Sequence, residues 1–301
     1  MNLDNSFIKK FSNNFSQNVK LSNYSWFNLG GEAEFFFKPS NKNEIIEFLT
    51  EAKKNNLKIT ILGAGSNTLF RDNGVKGAVV KLGSNFSYTK LISDDIVEVG
   101  AATLDRKLAN FAKDNNLANF EFLSCIPGSI GGAVIMNSGC YENDISKILL
   151  SIQVIDIKDC IEKEIKKEDI KFLYRGTSLS QDLIIISAKF KGLISNKGEI
   201  EKKQYNFIEK KKLSQPSQIK TCGSTFKNIN KDKKAWMLIK NSGCDGFKVG
   251  DATISKKHCN FFVNNGKAKS SDIENLIKKV KNTVYTKTGV NLELEIKIIG
   301  D

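Results

Sequence analysis

Lys58-Ile59-Thr60-Ile61-Leu62-Gly63-Ala64-Gly65-Ser66-Asn67 reads as a short strand running into a glycine-containing loop. Glycines let backbone N–H groups approach a phosphate closely, and Ser66 and Asn67 add hydrogen-bonding side chains. A Rossmann dinucleotide site needs a third glycine and a helix opening directly behind the loop. Thr68 stands at that glycine position, and no helical periodicity begins there. The P-loop pattern fails as well, because no Gly-Lys-Ser/Thr follows. Taken alone, the segment reads equally as a phosphate cradle or as a tight turn.

The flanking sequence mixes strand and helix patterns. Phe35 to Lys38, Ala78 to Leu82 and Ile96 to Val99 read as strands, and Ile45, Ile46, Phe48, Leu49 and Ala52 follow helical spacing. Thr103 is the expected N-cap of a helix carrying Leu104, Leu108, Phe111 and Ala112. Pro127-Gly128-Ser129-Ile130-Gly131-Gly132-Ala133 forms a second glycine-rich segment, and strands follow at Ile148 to Ile157 and Leu183 to Phe190. Three glycines in that run suit a backbone pressed against a diphosphate, or a bend in a core crossing. The charged helical stretch Glu199 to Leu213 marks the domain boundary. Beyond it, a short helix at Ala235 to Lys240 precedes strands at Ala252 to Ile254 and Phe261 to Asn264. Ser271 and Glu274 have capping-box spacing before a helix that Gly289 would end, and Leu292, Leu294, Ile296 and Ile298 alternate as a last strand. Mixed elements with glycine turns fit an α+β or α/β first domain of about 190 residues, with a second domain behind it; α+β is the fold class expected once the resemblance below is added.

Composition narrows the function. The chain has 301 residues, 40% of them hydrophobic, which excludes wholesale disorder. Forty-six basic and 33 acidic residues leave a net charge of +13, yet Arg71, Arg106 and Arg175 are the only arginines. Dispersed lysines interleaved with acids read as a solvated surface suited to anionic small molecules, not as a nucleic-acid patch. Cys125, Cys140, Cys160, Cys222, Cys244 and Cys259 contain no C-x-x-C pair, and His258 is the single histidine. No zinc spacing can be assembled from them, so no metal site is expected. Reduced thiols, no apolar run of membrane-spanning length and no apolar run in Met1 to Phe15 lead to a cytoplasmic expectation.

Four further places could carry chemistry. Tyr174-Arg175 holds one of the rare planar guanidinium forks; Thr221-Cys222-Gly223-Ser224-Thr225-Phe226-Lys227-Asn228 sets a serine behind a glycine. Glu293 and Glu295 share one face of the last strand. His258 reads as a structural histidine. Each has an ordinary reading too: a surface arginine, a turn, solvated carboxylates.

In combination these segments resemble the UDP-N-acetylenolpyruvoylglucosamine reductase family, in order from Tyr24 to Gly300. The matching runs are Asn28-Leu29-Gly30-Gly31, Gly63 to Asn67, Ile126 to Ala133, Tyr174-Arg175, Gln215-Pro216, Gly223 to Asn228, His258 to Phe261 and Leu292 to Glu295. The chain is similar to the shorter of the family's two forms. The resemblance implies an FAD-binding domain of the vanillyl-alcohol-oxidase type over 24–195, after a leader at 1–23, and a substrate-binding domain over 205–301. It leaves open a return of the last strand, 291–300, to the FAD domain. It implies FAD held non-covalently by Gly63, Ala64, Gly65, Ser66, Asn67, Pro127, Gly128, Ser129, Ile130, Gly131 and Gly132, with NADPH as hydride donor. The implied substrate is enolpyruvyl-UDP-N-acetylglucosamine, a precursor in peptidoglycan synthesis, and the implied state a monomer. Arg175 matches the group that polarises the enolpyruvyl carboxylate, Ser224 the proton donor and Glu295 the glutamate that holds the enolic intermediate. Tyr141 and Asn228 match substrate contacts, and Lys212 a diphosphate contact. Lys297 departs from the arginine usual in relatives, Lys227 to Ile229 lacks the usual proline, and Gly176 and Thr177 differ from the residues that normally follow Tyr-Arg.

Overall fold

A computed structural model describes residues 5–230 and 232–301. The chain divides into two compact units that alternate along the sequence. Of the described residues, the first gathers those up to 17, 35–64 and 77–211; the second gathers 18–34, 65–76 and those from 212 onward.

The first unit is built on a five-stranded antiparallel sheet in the order Glu162–Lys166, Leu149–Asp156, Leu183–Lys191, Ile96–Gly100, Thr89–Leu91. Leu149–Asp156 and Leu183–Lys191 are nearly continuous apolar runs, as central strands buried on both faces must be. Val97, Val99, Ile152, Val154 and Phe190 form one core with Leu108 and Ala112 of helix Asp105–Asp114. A second core collects Ile45, Phe48, Leu49 and Ala52 of helix Lys42–Lys54 around strand residues Phe35, Phe37, Ala78 and Val80. Phe7, Phe11 and Phe15 join it; Phe11 packs edge-on to Phe37 at 5.7 Å, and Phe37 stacks on Phe48 at 3.9 Å. Sequence patterning places no element before Phe35, yet helix Asn5–Lys10 and strand Phe15–Lys20 occur there. The i, i+4, i+8 spacing of these phenylalanines is the signal, and it emerges only once the partner rings are known.

The expected N-cap at Thr103 is not observed. Leu104 occupies that position, and the fully buried Thr103 hydroxyl donates to the Tyr88 carbonyl at 2.9 Å. Asp105, the first helical residue, is fully buried, and neither carboxyl oxygen has a hydrogen-bond partner among the described residues. Burial raises its carboxyl well above the usual carboxylate range. The helix dipole favours an anion there by only about 0.3–1 kcal/mol, less than the cost of stripping water from an unpaired charge. The folded state therefore holds a proton that the unfolded chain has released, and stability falls as pH rises from the ordinary carboxyl range towards the folded pKa. Asp105→Asn lacks this titration. The variant should gain on the wild type by up to about 1.4 kcal/mol per pH unit across that window. Urea denaturation at pH 5 and pH 8 reads this directly, and parallel pH dependences in the two proteins would refute it.

In the second unit, strands Lys248–Val249, Ala252–Ile254 and Phe262–Asn264 form a small antiparallel sheet. Helix Ser270–Thr288 buries Ile273, Leu276, Ile277, Val280 and Val284, a stripe at helical spacing, and ends at Gly289 with φ 70°. The expected capping pair Ser271/Glu274 is replaced by other acids. Asp272 accepts from the Lys269 N–H, and Asp72 accepts from the N–H groups of Ser270 and Ser271 at 2.8 and 2.9 Å. Glu274 is engaged by the Arg71 fork at 3.0 and 3.2 Å. A carboxylate from a remote segment can cap a helix as well as a local one, and no sequence window contains it. The last strand is shorter than its alternation suggests: Lys297–Ile299 pairs in parallel with Thr68–Phe70, and Leu294 makes a single bridge to Phe226.

Candidate active site

Two glycine segments converge within the first unit. Strand Ile59–Ile61 pairs in parallel with Ala78 to Val80, and the Leu62 N–H continues the ladder to the Val80 carbonyl, delivering the chain to Gly63. A Cβ on Gly63 would lie 3.1 Å from the Ser129 hydroxyl oxygen. Ser129 opens the short helix Ile130–Ile135 and makes no side-chain capping bond. The N–H groups of Ile130 and Gly131 donate to the Thr103 and Ala101 carbonyls, both at 2.9 Å. These two residues therefore contribute closeness of approach, not free donors. Lys81 donates to the Gly63 carbonyl at 2.6 Å. Absence of bulk at Gly63, a hydroxyl across the gap and an ammonium beside it fit the diphosphate of a dinucleotide.

Gly65, Ser66 and Asn67 fall in the second unit. Gly65 has φ 70°, and its carbonyl accepts from the Trp26 N–H at 3.1 Å. The Asn67 amide donates to the Glu295 carbonyl at 3.0 Å, while the Asn67 carbonyl accepts from the Lys297 N–H at 2.9 Å. This clamp holds the Glu295 backbone. On its other side the Glu295 N–H donates to the Thr225 carbonyl at 2.8 Å.

Thr225 in turn links the serine segment to Asn260. The Thr225 N–H donates to the Asn260 carbonyl at 2.8 Å; the Asn260 side chain accepts from the Phe226 N–H at 3.0 Å and donates to the Phe226 carbonyl at 2.8 Å. Ser224 makes a bridge to Phe261 and Phe226 one to Leu294. The segment 224–226 is thus held between 260–261 and 294–295, which brings Ser224 and Glu295 onto neighbouring strands of backbone. Asn228 accepts the Ala235 N–H at 3.0 Å, capping helix Ala235–Asn241 through its oxygen. Lys227 pairs with Glu293 at 2.7 Å, which accounts for the exposed member of the two last-strand glutamates. The Lys212 carbonyl accepts from Lys257 at 2.5 Å. His258 is structural: its Nδ1 accepts from the Asn260 N–H, its ring packs 4.8 Å from Phe261, and burial lowers its pKa.

Arg175 and Tyr141 form a separate group in the first unit. Arg175 adopts φ 59°, stacks its guanidinium 5.0 Å from the Tyr174 ring and donates from Nη2 to the Gly139 carbonyl at 2.9 Å. Asn137 anchors the region by donating to the Leu173 carbonyl and accepting from the Ser146 N–H. Tyr141, also at positive φ, stacks on Phe207 at 4.8 Å. Beside them the Cys125 thiol is lowered to about 7, chiefly by its hydrogen bond with Cys140, whose own pKa is raised by the same bond.

A profile described as "UDP-N-acetylenolpyruvoylglucosamine reductase, C-terminal domain" matches residues 215–299, and one described as "FAD binding domain" matches 33–160. The UDP-N-acetylenolpyruvoylglucosamine reductase of Pelagibacter ubique (strain HTCC1062) is 47% identical over 97% of this chain and 98% of its own length. This chain belongs to the UDP-N-acetylenolpyruvoylglucosamine reductase family. A Wolbachia relative (sp. subsp. Brugia malayi, strain TRS) with the same name is 41% identical over 95% of this chain and 96% of its own. The crystal structure of UDP-N-acetylenolpyruvylglucosamine reductase from Thermus caldophilus superposes with a TM-score of 0.82 at 30% identity, covering 94% of this chain and 98% of that one. The α+β fold, with an FAD-binding domain and a reductase C-terminal domain, is therefore the family's. This chain is an FAD-containing, NADPH-dependent reductase of peptidoglycan precursor synthesis. Its substrate is a small UDP-sugar, and no described helix is long and apolar enough to cross a membrane.

Sequence reasoning did not single out Asn260, Asn137 or Lys81 as organisers of this reductase. Asn260 lies inside the matched run His258 to Phe261, so its signal was present but lacked a role. Asn137 and Lys81 act on residues remote in sequence and carry no local signature.

Proposed function

We propose that Arg175, Ser224 and Glu295 carry the reduction of the enolpyruvyl group of enolpyruvyl-UDP-N-acetylglucosamine. The observation that supports this most is the clamp of Glu295 between Thr225 and Asn67, at 2.8 and 3.0 Å, which sets the Ser224 segment beside the Glu295 backbone. When bound, the flavin supplies a hydride to C3 of the enolpyruvyl group after taking one from NADPH. The chain's own groups then meet the charge developing at C2 and the carboxylate. Arg175 offers a planar fork that a carboxylate matches in two bonds, with one of its nitrogens anchored on Gly139. Ser224 Oγ donates the proton to C2, and Glu295 holds the enolic oxygen region in place. Tyr141, Asn228 and Lys212 contact the nucleotide sugar, and the Asn228 oxygen also accepts the Ala235 N–H. FAD binding belongs to 24–195 and substrate binding to 205–301 in this reading, and the enzyme works as a cytoplasmic monomer. Cysteines that are all unpaired fit a reducing compartment.

Glu295→Gln tests the assignment. The variant should bind FAD and be bleached by NADPH as the wild type is, while turnover drops by about 10²–10³-fold. Anaerobic bleaching by NADPH followed by recovery of colour on adding the enolpyruvyl substrate separates the two steps. A variant that emerges without flavin would place Glu295 in the fold and not in the chemistry.

A further inference from the structure

We propose that Lys81 is a binding residue for the FAD diphosphate, moving its ammonium from the Gly63 carbonyl onto a phosphate oxygen when the cofactor enters. The starting point is an ammonium in an unusual setting. Lys81 lies half-buried, directly after the strand that pairs with Ile59–Ile61, and donates to a single neutral oxygen, the Gly63 carbonyl, at 2.6 Å. An ammonium has three donors, and a carbonyl does not neutralise its charge. The Lys81 N–H donates to the Phe37 carbonyl at 2.9 Å, which sets Lys38 on the adjoining segment. The two cations are close enough for Lys38, together with burial, to disfavour the charged form of Lys81.

Among the described residues no carboxylate lies within ion-pair distance of either lysine. Other lysines of this unit are treated differently. Lys163 meets Asp156 and Asp159, both at 3.0 Å, and Lys189 meets Glu164 at 3.1 Å. A half-buried cation with a like charge beside it and no acid gains a counter-charge when an anion binds. The place where this charge is held is the first glycine of the loop, with Ser129 Oγ 3.1 Å from where a Cβ on Gly63 would stand. A dianionic diphosphate laid along this backbone would collect a hydroxyl donor and the ammonium together. Lys81 is thus a cofactor-binding residue lying 18 positions beyond the loop it serves.

The experiment uses the full-length enzyme, stripped of flavin, with Lys81→Gln, Lys81→Arg and Lys38→Gln. FAD affinity is titrated by flavin fluorescence at 50 and 300 mM NaCl, and the thermal midpoint of each flavin-free protein is measured alongside. Lys81→Gln should weaken FAD at least tenfold and flatten the salt dependence, without lowering the flavin-free midpoint. Lys81→Arg should stay within about threefold of wild type, since a charge-assisted contact to phosphate survives the exchange. Lys38→Gln should weaken FAD less than Lys81→Gln, because it acts only through the field. Unchanged FAD affinity in Lys81→Gln overturns the proposal. So does a weakening that merely follows a fall in the flavin-free midpoint, which would make Lys81 a structural cap on Gly63. Wild-type FAD binding in the same titration keeps this outcome distinct from any failure of the flavoenzyme assignment.

Discussion

Ser224→Ala leaves FAD bound and reducible by NADPH, while turnover with the enolpyruvyl substrate falls by about 10²–10⁴-fold, the range expected for removing a general acid. The prediction rests on how the serine is held. Its position is set by backbone bonds of its neighbours, from Thr225 and Phe226 to Asn260 and from Glu295 to Thr225, none of which uses Oγ. Among the described residues no side chain or backbone group hydrogen-bonds Ser224 Oγ, so deleting the oxygen leaves no buried group unsatisfied. The fold should therefore be indifferent to the change and the second half of the catalytic cycle should not. Stopped-flow absorbance resolves the two phases: bleaching at the wild-type rate, then recovery slowed by orders of magnitude. Equal slowing of both phases would show that the serine shapes the site and does not donate the proton. Retention of full turnover would pass the role to another donor.

Gly65→Ala unfolds or severely destabilises the second unit, by about 3 kcal/mol or more. Two effects add. At φ 70° an alanine costs on the order of 1 kcal/mol from backbone conformation alone. A Cβ there would also overlap the Tyr24 carbonyl oxygen and press on the Tyr24 carbonyl carbon, 2.9 Å away. The obstructing backbone cannot yield cheaply. The Trp26 N–H is bonded to the Gly65 carbonyl at 3.1 Å, the Ser25 hydroxyl to the Thr68 carbonyl at 2.7 Å, and the Cys222 thiol to the same carbonyl at 3.4 Å. Gly289 provides the control, since it has the same φ of 70° but open space where its Cβ would go. Gly289→Ala should cost only the conformational part, about 1 kcal/mol. Denaturant unfolding of the two variants compares overlap with torsion directly; equal losses would show that the Tyr24 backbone moves aside.

Much of the architecture was legible because it rests on short-range periodicity. Leu183–Lys191 and Leu149–Asp156 announce themselves as apolar runs, and the stripe Ile273, Leu276, Ile277, Val280 and Val284 with Gly289 behind it defines a helix and its end. The segment Gly63 to Asn67 could be recognised as a phosphate cradle or tight turn, and the failure of the Rossmann fingerprint at Thr68 is matched by a strand, Thr68–Phe70, where a helix would have been needed. Arg175, Ser224 and Glu295 could be named from ordered motif matches, as residue types suited to polarising a carboxylate and moving a proton.

Other features depend on groups brought together from distant parts of the chain. Helix Ser270–Thr288 is capped by Asp72, nearly two hundred residues earlier, where local spacing pointed to Ser271 and Glu274. Thr103 turns its hydroxyl to Tyr88 instead of capping a helix, because full burial makes an internal acceptor worth more than an exposed turn of helix. The Glu295 backbone is positioned by Asn67 and Thr225, and the Lys81 ammonium is placed on Gly63. Hydrophobic period and turn chemistry are properties of a few consecutive residues, so the sequence by itself determined most of the elements from Phe35 onward, the glycine-rich turns and the candidate chemistry. Burial, capping and the pairing of polar groups depend on which remote atoms share a low-dielectric neighbourhood, and only the tertiary structure decided those.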